Sequence, residues 1–179
     1  MRNNIKVFGI ILICFCACKS PNDKNGLENS KHKKEKLAAN KKTTILLNSK
    51  RNKWLKENYG YEKWNPTTED LEVVQEVLDN AIQKNEFNFL KSPVKKSIED
   101  YYRQYVPYVN EKGVRIIEIN AFCKIPEMPP LSESESKEWT KMDWKKEYIE
   151  VTDGGNCYWQ VKINVDKKEY TGLMPNSKA

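Results

Sequence analysis

"YYRQYVPYVNEKGVRIIEINAFCK", residues 101 to 124, is where the hydrophobic period of the chain changes from the helical 3.6 to two. Its apolar residues alternate on either side of Asn110-Glu111-Lys112-Gly113, which the spacing predicts to be a type I turn closed by a left-handed glycine bulge. Asn110 then faces Val114, and Gln104 faces Asn120. A second stretch, "KEYIEVTDGGNCYWQVKINVD" (146–166), repeats the pattern around Asp153-Gly154-Gly155. The same turn geometry there pairs Thr152 with Asn156, Val151 with Cys157 and Ile149 with Trp159.

Two such hairpins predict a four-stranded antiparallel meander with one face for a core and one for solvent. The inward set is Ile117, Ile119, Ala121, Cys123, Ile149, Val151, Cys157, Trp159, Val161 and Ile163. The outward set is Tyr102, Gln104, Glu118, Asn120, Glu150, Tyr158, Gln160 and Lys162, and all of these but Lys162 form the candidate binding face. In an up-and-down meander the second and fourth strands run the same way, which sets Cys123 and Cys157 at opposite ends of the sheet. Two free, buried thiols are therefore expected rather than a disulfide.

The element that covers the inward face precedes the sheet. In "NPTTEDLEVVQEVLDNAIQKN" (65–85), Pro66 and Thr67-Thr68 supply start signals, and Glu69 and Asp70 suit the positive end of a helix dipole. Leu71, Val74, Val77, Leu78, Ala81 and Ile82 recur at helical spacing, and Asn85 marks the stop. Upstream, "ILLNSKRNKWLKENYGYEKW" (45–64) has no clean period and reads as either a short helix or an irregular arm. "IPEMPPLSESESKEWTKMDW" (125–144) reads as a long exposed loop, and a shorter loop is expected around Ser92-Pro93. The fold class is α+β: one amphipathic helix packed on a four-stranded meander, in a cystatin-like layout.

Arg103-Gln104-Tyr105, Asn120-Ala121-Phe122-Cys123, Asp153-Gly154-Gly155 and the closing Asn176 to Ala179 resemble a group of small lipoproteins of the Bacteroidota. The resemblance covers roughly residues 64 to 179. It implies the fold and an address in the cell envelope, and it carries no catalytic residue.

The N-terminus points to the same address. Met1 to Lys6 is positively charged, and "VFGIILICFCACKS" (7–20) is apolar but shorter than the ~20 residues a membrane span needs. This is the charged and apolar series of a secretory signal. Ala17-Cys18 resembles the lipobox of a bacterial lipoprotein, with Cys18 as the lipidated residue; Cys16, which follows bulky Phe15, is the weaker acceptor. Cys14 and Cys16 then leave with the signal. The chain accordingly divides into a signal peptide (1–17), a lipidated cysteine with a flexible basic tether (18–44), and a single domain (45–179).

The net charge of +6 is unevenly distributed. Residues 19–64 hold 13 Lys/Arg against 5 Asp/Glu, whereas residues 65–179 hold 16 against 20. The basic character thus sits in the leader, and this split argues against a nucleic-acid-binding domain, which is expected to carry a basic stripe on its folded surface. A basic leader next to a lipid anchor is either a solvated tether or a contact for anionic headgroups.

The inventory for chemistry is short. The single histidine, His32, lies in the tether, which leaves the domain without a Ser-His-Asp or Cys-His arrangement and without a histidine for a metal site. Cys123 and Cys157 lack metal-ligand spacing, and Asp153 stands without the further oxygens that a calcium loop needs. No catalytic residue, metal or cofactor is assigned. Trp54, Tyr59, Tyr61, Trp64, Trp139 and Trp144 either seal the ends of a small core or stack on sugars or partner proteins. The expected function is a membrane-tethered, non-enzymatic binding domain of the envelope, anchored at the outer membrane, for a protein, peptide or glycan. The alternative is a small envelope hydrolase that uses the carboxylates of Glu118 and Glu150.

Overall fold

The computed structural model describes residues 41–129 and 138–177. The expected signal peptide, Cys18 and the expected tether up to residue 40 lie outside the described residues, as does the middle of the long loop. In chain order the elements are β1 (Thr43–Ile45), α1 (Lys50–Tyr59), α2 (Thr68–Gln83), α3 (Val94–Asp100), β2 (Tyr102–Val109) and β3 (Arg115–Phe122). There follow β4 (Glu127–Met128), β5 (Thr140–Lys141), a 3-10 turn (Gly155–Cys157), β6 (Tyr158–Asn164) and β7 (Glu169–Pro175). The class is α+β, with a five-stranded sheet in the order β1-β2-β3-β6-β7 and a separate β4-β5 pair. All neighbours in the large sheet are antiparallel except β1, which runs parallel to β2.

The β2–β3 hairpin has the register that the alternation predicts. Gln104 faces Asn120, the Asn110 N–H donates to the Val114 carbonyl at 3.0 Å, and Gly113 takes the left-handed φ of 74°. Helix α2 likewise starts where its signals place it. Thr67 and Asp70 form a capping box in which the Thr67 N–H donates to the Asp70 carboxylate at 2.8 Å. Val74, Val77, Leu78 and Ala81 of α2 pack on Tyr105, Ile117, Ile119, Ala121, Trp159, Val161 and Ile163 of the sheet. Trp159 is fully buried at the centre, edge-on to Phe87 at 5.3 Å. Burial of large side chains of this kind contributes about 1.5–3 kcal/mol each, which makes this face the main source of stability.

The second half of the predicted meander is different. Residues 147–152 are not a strand. The antiparallel run of four consists of β2, β3, β6 and β7, and β6 pairs directly with β3, placing Ile119 opposite Val161 and Ala121 opposite Trp159. Its hairpin partner is β7, reached through a turn in which Asn164 accepts from the Lys167 N–H at 3.0 Å and Lys168 adopts φ 56°. Asp153-Gly154-Gly155 is accordingly not a hairpin turn; it leads into the 3-10 turn before β6. Ile149 and Val151 do point inward with Glu150 outward between them, but they pack against the opposite face of the sheet, with Phe122, Trp144 and Tyr158. Period-two patterning reports that alternate side chains are buried, and an extended segment lying across a sheet satisfies it as well as a strand does.

That shift overturns the expectation for the cysteines. Because Phe122 pairs with Tyr158 across β3 and β6, the next residues outward are Cys123 and Cys157. They form a disulfide, with a Cα–Cα distance of 5.0 Å, and the Cys123 N–H donates to the Cys157 carbonyl at 2.9 Å. Cys123 is exposed rather than part of the inward set, and Cys157 is half-buried.

Three further elements take their definite form only in the structure. The arm at 45–64 contains a true helix, α1, with a capping box between Ser49 and Asn52 and a left-handed Gly60 at its end. The sheet begins at Thr43, ahead of the expected start at Ile45, because Lys42 and Leu46 bond β2 through their backbones. The loop around Ser92-Pro93 continues into α3, which buries Ile98.

The disulfide closes a separation of 34 residues, for which chain entropy gives a contribution of about 3–4 kcal/mol. Cys123→Ser is expected to lower the urea-unfolding free energy by roughly that amount, and wild type under reductant should fall to the same value. A linked Cys123–Cys157 peptide in the non-reduced digest checks the bond itself. Gly154→Ala is expected to destabilise as well, because φ there is 92° and an added Cβ would sit 2.6 Å from the Tyr158 ring; the midpoint of the same urea curve reads this.

Candidate binding face

The outward residues of β2, β3 and β6 do share one face. Gln104, Asn120 and Gln160 form one cross-strand row, Glu118 and Lys162 face each other in the next, and Tyr102, Phe122 and Tyr158 form a third. This face is not presented to solvent, however. Gln104 is 0% exposed, Glu118 1% and Asn120 4%, and Tyr158 is also buried. Gln160 is half-buried and only Lys162 remains fully exposed. A second layer, made of α1 and the segment 142–151, covers the face.

The polar residues hold that layer in place. The Gln104 amide donates to the carbonyls of Trp144 and Glu147, each at 2.6 Å. Its oxygen accepts from the Ile149 N–H at 2.9 Å and from the Asn120 amide at 3.1 Å. The Asn120 amide also donates to the Ile149 carbonyl at 2.7 Å. An extended segment that has no ladder partner thus has its backbone groups satisfied by two side chains, as buried peptide groups require.

Glu118 fastens α1 in the same way. Arg51 donates to its two oxygens from Nε and Nη2, both at 2.9 Å, and the Tyr148 hydroxyl donates to it at 3.1 Å. The guanidinium lies over the rings of Trp54, at 4.6 Å, and Tyr148, at 5.6 Å. Burial works against the Arg51 charge, but the bonds and charge of Glu118 outweigh it and raise the pKa above its ordinary value. Burial first, and the Glu118 charge second, push the Tyr148 hydroxyl far above the usual phenol range, so it stays a donor. Leu46, Leu55, Val106 and Tyr108 pack beneath this contact.

Glu118 and Glu150 therefore sit in unlike places. Glu118 is enclosed and spoken for by three hydrogen bonds, whereas Glu150 is exposed on the covering segment. A shallow groove of about 470 Å³ lies on the other side of the sheet, along α2, between Glu69, Glu72, Glu76, Asp79 and Lys168. Within it Lys168 pairs with Glu76 at 2.9 Å. Among the described residues no group of three or more His, Cys, Asp or Glu side chains is placed to hold a metal ion.

The aromatic residues divide between sealing and display. Trp144 is buried against Tyr102 and Phe122, and Trp64 packs under Arg115 on the rim of the α2 core. Trp54, Tyr59 and Trp139 stand 41%, 53% and 62% exposed. Trp54 and Tyr59 begin a run of touching rings that continues through Tyr61 to buried Tyr108, with centroids 5.0–5.2 Å apart. The structural roles of Gln104, Glu118 and Asn120 had one signal in the sequence. A glutamine, a glutamate and an asparagine occupy mid-strand positions among large apolar residues, where an ordinary solvent face carries more Lys and Thr.

Comparison of the chain with family models, with curated proteins and with solved structures finds no match.

Loss of the Arg51 side chain leaves a buried carboxylate without its cation. Arg51→Ala is expected to cost about 3–5 kcal/mol in urea unfolding, whereas Arg51→Met combined with Glu118→Leu should recover most of that loss. Equal losses in the single and double variants would show that the ion pair does not hold α1.

Proposed function

We propose that the chain is a lipid-anchored, non-enzymatic binding or interaction domain of the bacterial cell envelope, held at the outer membrane through Cys18. The observation that carries this reading is the Cys123–Cys157 disulfide. Such bonds persist in the periplasm and at cell surfaces and are rare in reducing cytosol. It agrees with the charged, apolar and small-residue series that ends at Ala17-Cys18. Among the described residues no helix is long and apolar enough to cross a membrane, so the described part itself offers no helical anchor.

Binding rather than hydrolysis is favoured because Gln104, Glu118 and Asn120 already spend their hydrogen bonds inside the domain. The partner, an envelope protein, peptide or glycan, meets the domain beside the 125–144 excursion, where Trp139 projects from the β4–β5 pair. Kinship with small Bacteroidota lipoproteins and a cystatin-like layout belong to the same proposal. What supports the layout is α2 crossing one face of four consecutive antiparallel strands.

Metabolic labelling with radioactive palmitate tests the anchor. Wild type should incorporate label and sediment with membranes, and Cys18→Ala should do neither. Equal label in both would overturn the assignment.

A further inference from the structure

The two long helices lie on opposite faces of the sheet, and they carry opposite charge. Helix α1 packs through Leu55 on the face of Val106 and Tyr108, whereas α2 packs on the face of Ile119 and Val161. Helix α2 carries Glu69, Asp70, Glu72, Glu76 and Asp79 and no Lys or Arg. Helix α1 carries Lys50, Arg51, Lys53 and Lys56 against Glu57 alone. Across residues 41–64 there are seven Lys/Arg and two Asp/Glu. The side of α1 turned away from Leu55 presents Lys50, Lys53 and Glu57, with Trp54 and Lys56 on its two flanks, all exposed. Tyr59 stands at its end, edge-on to Trp54 at 5.2 Å.

We infer that this face of α1 docks on an anionic lipid surface. The inference rests on the anchoring reading above, which keeps the domain within reach of a bilayer. Charge complementarity selects the occupant: a negative surface attracts the α1 side and repels the acidic α2 side, so the domain is oriented as well as bound. Trp and Tyr favour the headgroup level, where one edge of the ring is apolar and the other wet. Helix α1 keeps its apolar residue Leu55 for the protein core, so the contact is a shallow electrostatic one and not an inserted amphipathic helix. The Lys53–Glu57 and Lys56–Glu62 pairs, at 3.7 and 3.1 Å, are solvent-exposed and give way readily to a second source of negative charge. A basic patch beside a lipid chain is also the usual second signal that makes a single-anchor attachment persistent.

The test uses the full chain, purified from membranes in detergent and reconstituted into vesicles of phosphatidylcholine alone or with 30% phosphatidylglycerol. Flotation reads anchoring, and quenching of tryptophan emission by brominated lipid reads docking, with Trp54→Phe isolating the contribution of Trp54. The expected result is flotation with both vesicles, with Trp54 quenched only in the anionic ones and released by 0.5 M salt. Each basic residue near an anionic surface strengthens attachment roughly fivefold, so Lys50→Gln/Lys53→Gln/Lys56→Gln should weaken docking about a hundredfold and abolish the quenching. An unchanged urea midpoint shows that the triple variant is folded. Equal quenching in neutral and anionic vesicles, or quenching that survives the triple substitution, overturns docking and leaves the anchor intact. Flotation with anionic vesicles alone overturns the anchor and supports docking, and flotation with neither overturns both.

Discussion

The Gln104 side chain uses its whole hydrogen-bonding capacity inside the protein. Two N–H groups reach the carbonyls of Trp144 and Glu147, and the oxygen accepts from Ile149 and from Asn120. An amide in the middle of a strand thereby does for residues 144–149 what a neighbouring strand would otherwise do. The segment can lie across the sheet instead of joining it, and this leaves the free edge of β3 for β6. The sheet order, the direction of β6 and the meeting of Cys123 with Cys157 all follow from that choice.

Covering both faces changes what polar side chains on β2 and β3 are for. A carboxylate or amide enclosed on both sides must be paired, and leaving it unpaired costs more than the pair is worth. Glu118 meets this requirement by taking a forked Arg51 and the Tyr148 hydroxyl, which fixes where α1 sits. Asn176, at the end of the chain, does the same for the loop before β6 by donating to the carbonyls of Val151 and Asp153. Gln104, Asn120, Cys123 and Asn176 are thus the fastenings of the 142–157 excursion. They form a scaffold, and the exposed rings of Trp54, Tyr59 and Trp139 lie outside it.

Local rules were legible wherever the deciding contact lies within a few residues. The Thr67–Asp70 capping box, the apolar stripe of α2 and the Asn110–Gly113 turn are each made by neighbours in sequence, and each is read from residue type and spacing alone. The helix α1 was partly legible. Ser49 and Asn52 cap it, but with Leu55 as its one buried residue it shows no stripe, so only its packing on Val106 and Tyr108 distinguishes it from an irregular arm.

By itself the sequence determined the class of the fold, the register of its first hairpin and the core face built on Ile117, Ile119, Trp159 and Val161. The tertiary structure alone decided which segment became the third strand of the antiparallel run, that the polar face is interior, and that the two cysteines join. The physical reason is common to all three. Alternation of apolar and polar residues records which side chains leave water, and it says nothing about which backbone lies alongside. That is settled by contacts between residues 29 to 67 positions apart, such as Asn120 with Ile149 and Arg51 with Glu118, which come together only when the whole chain has folded.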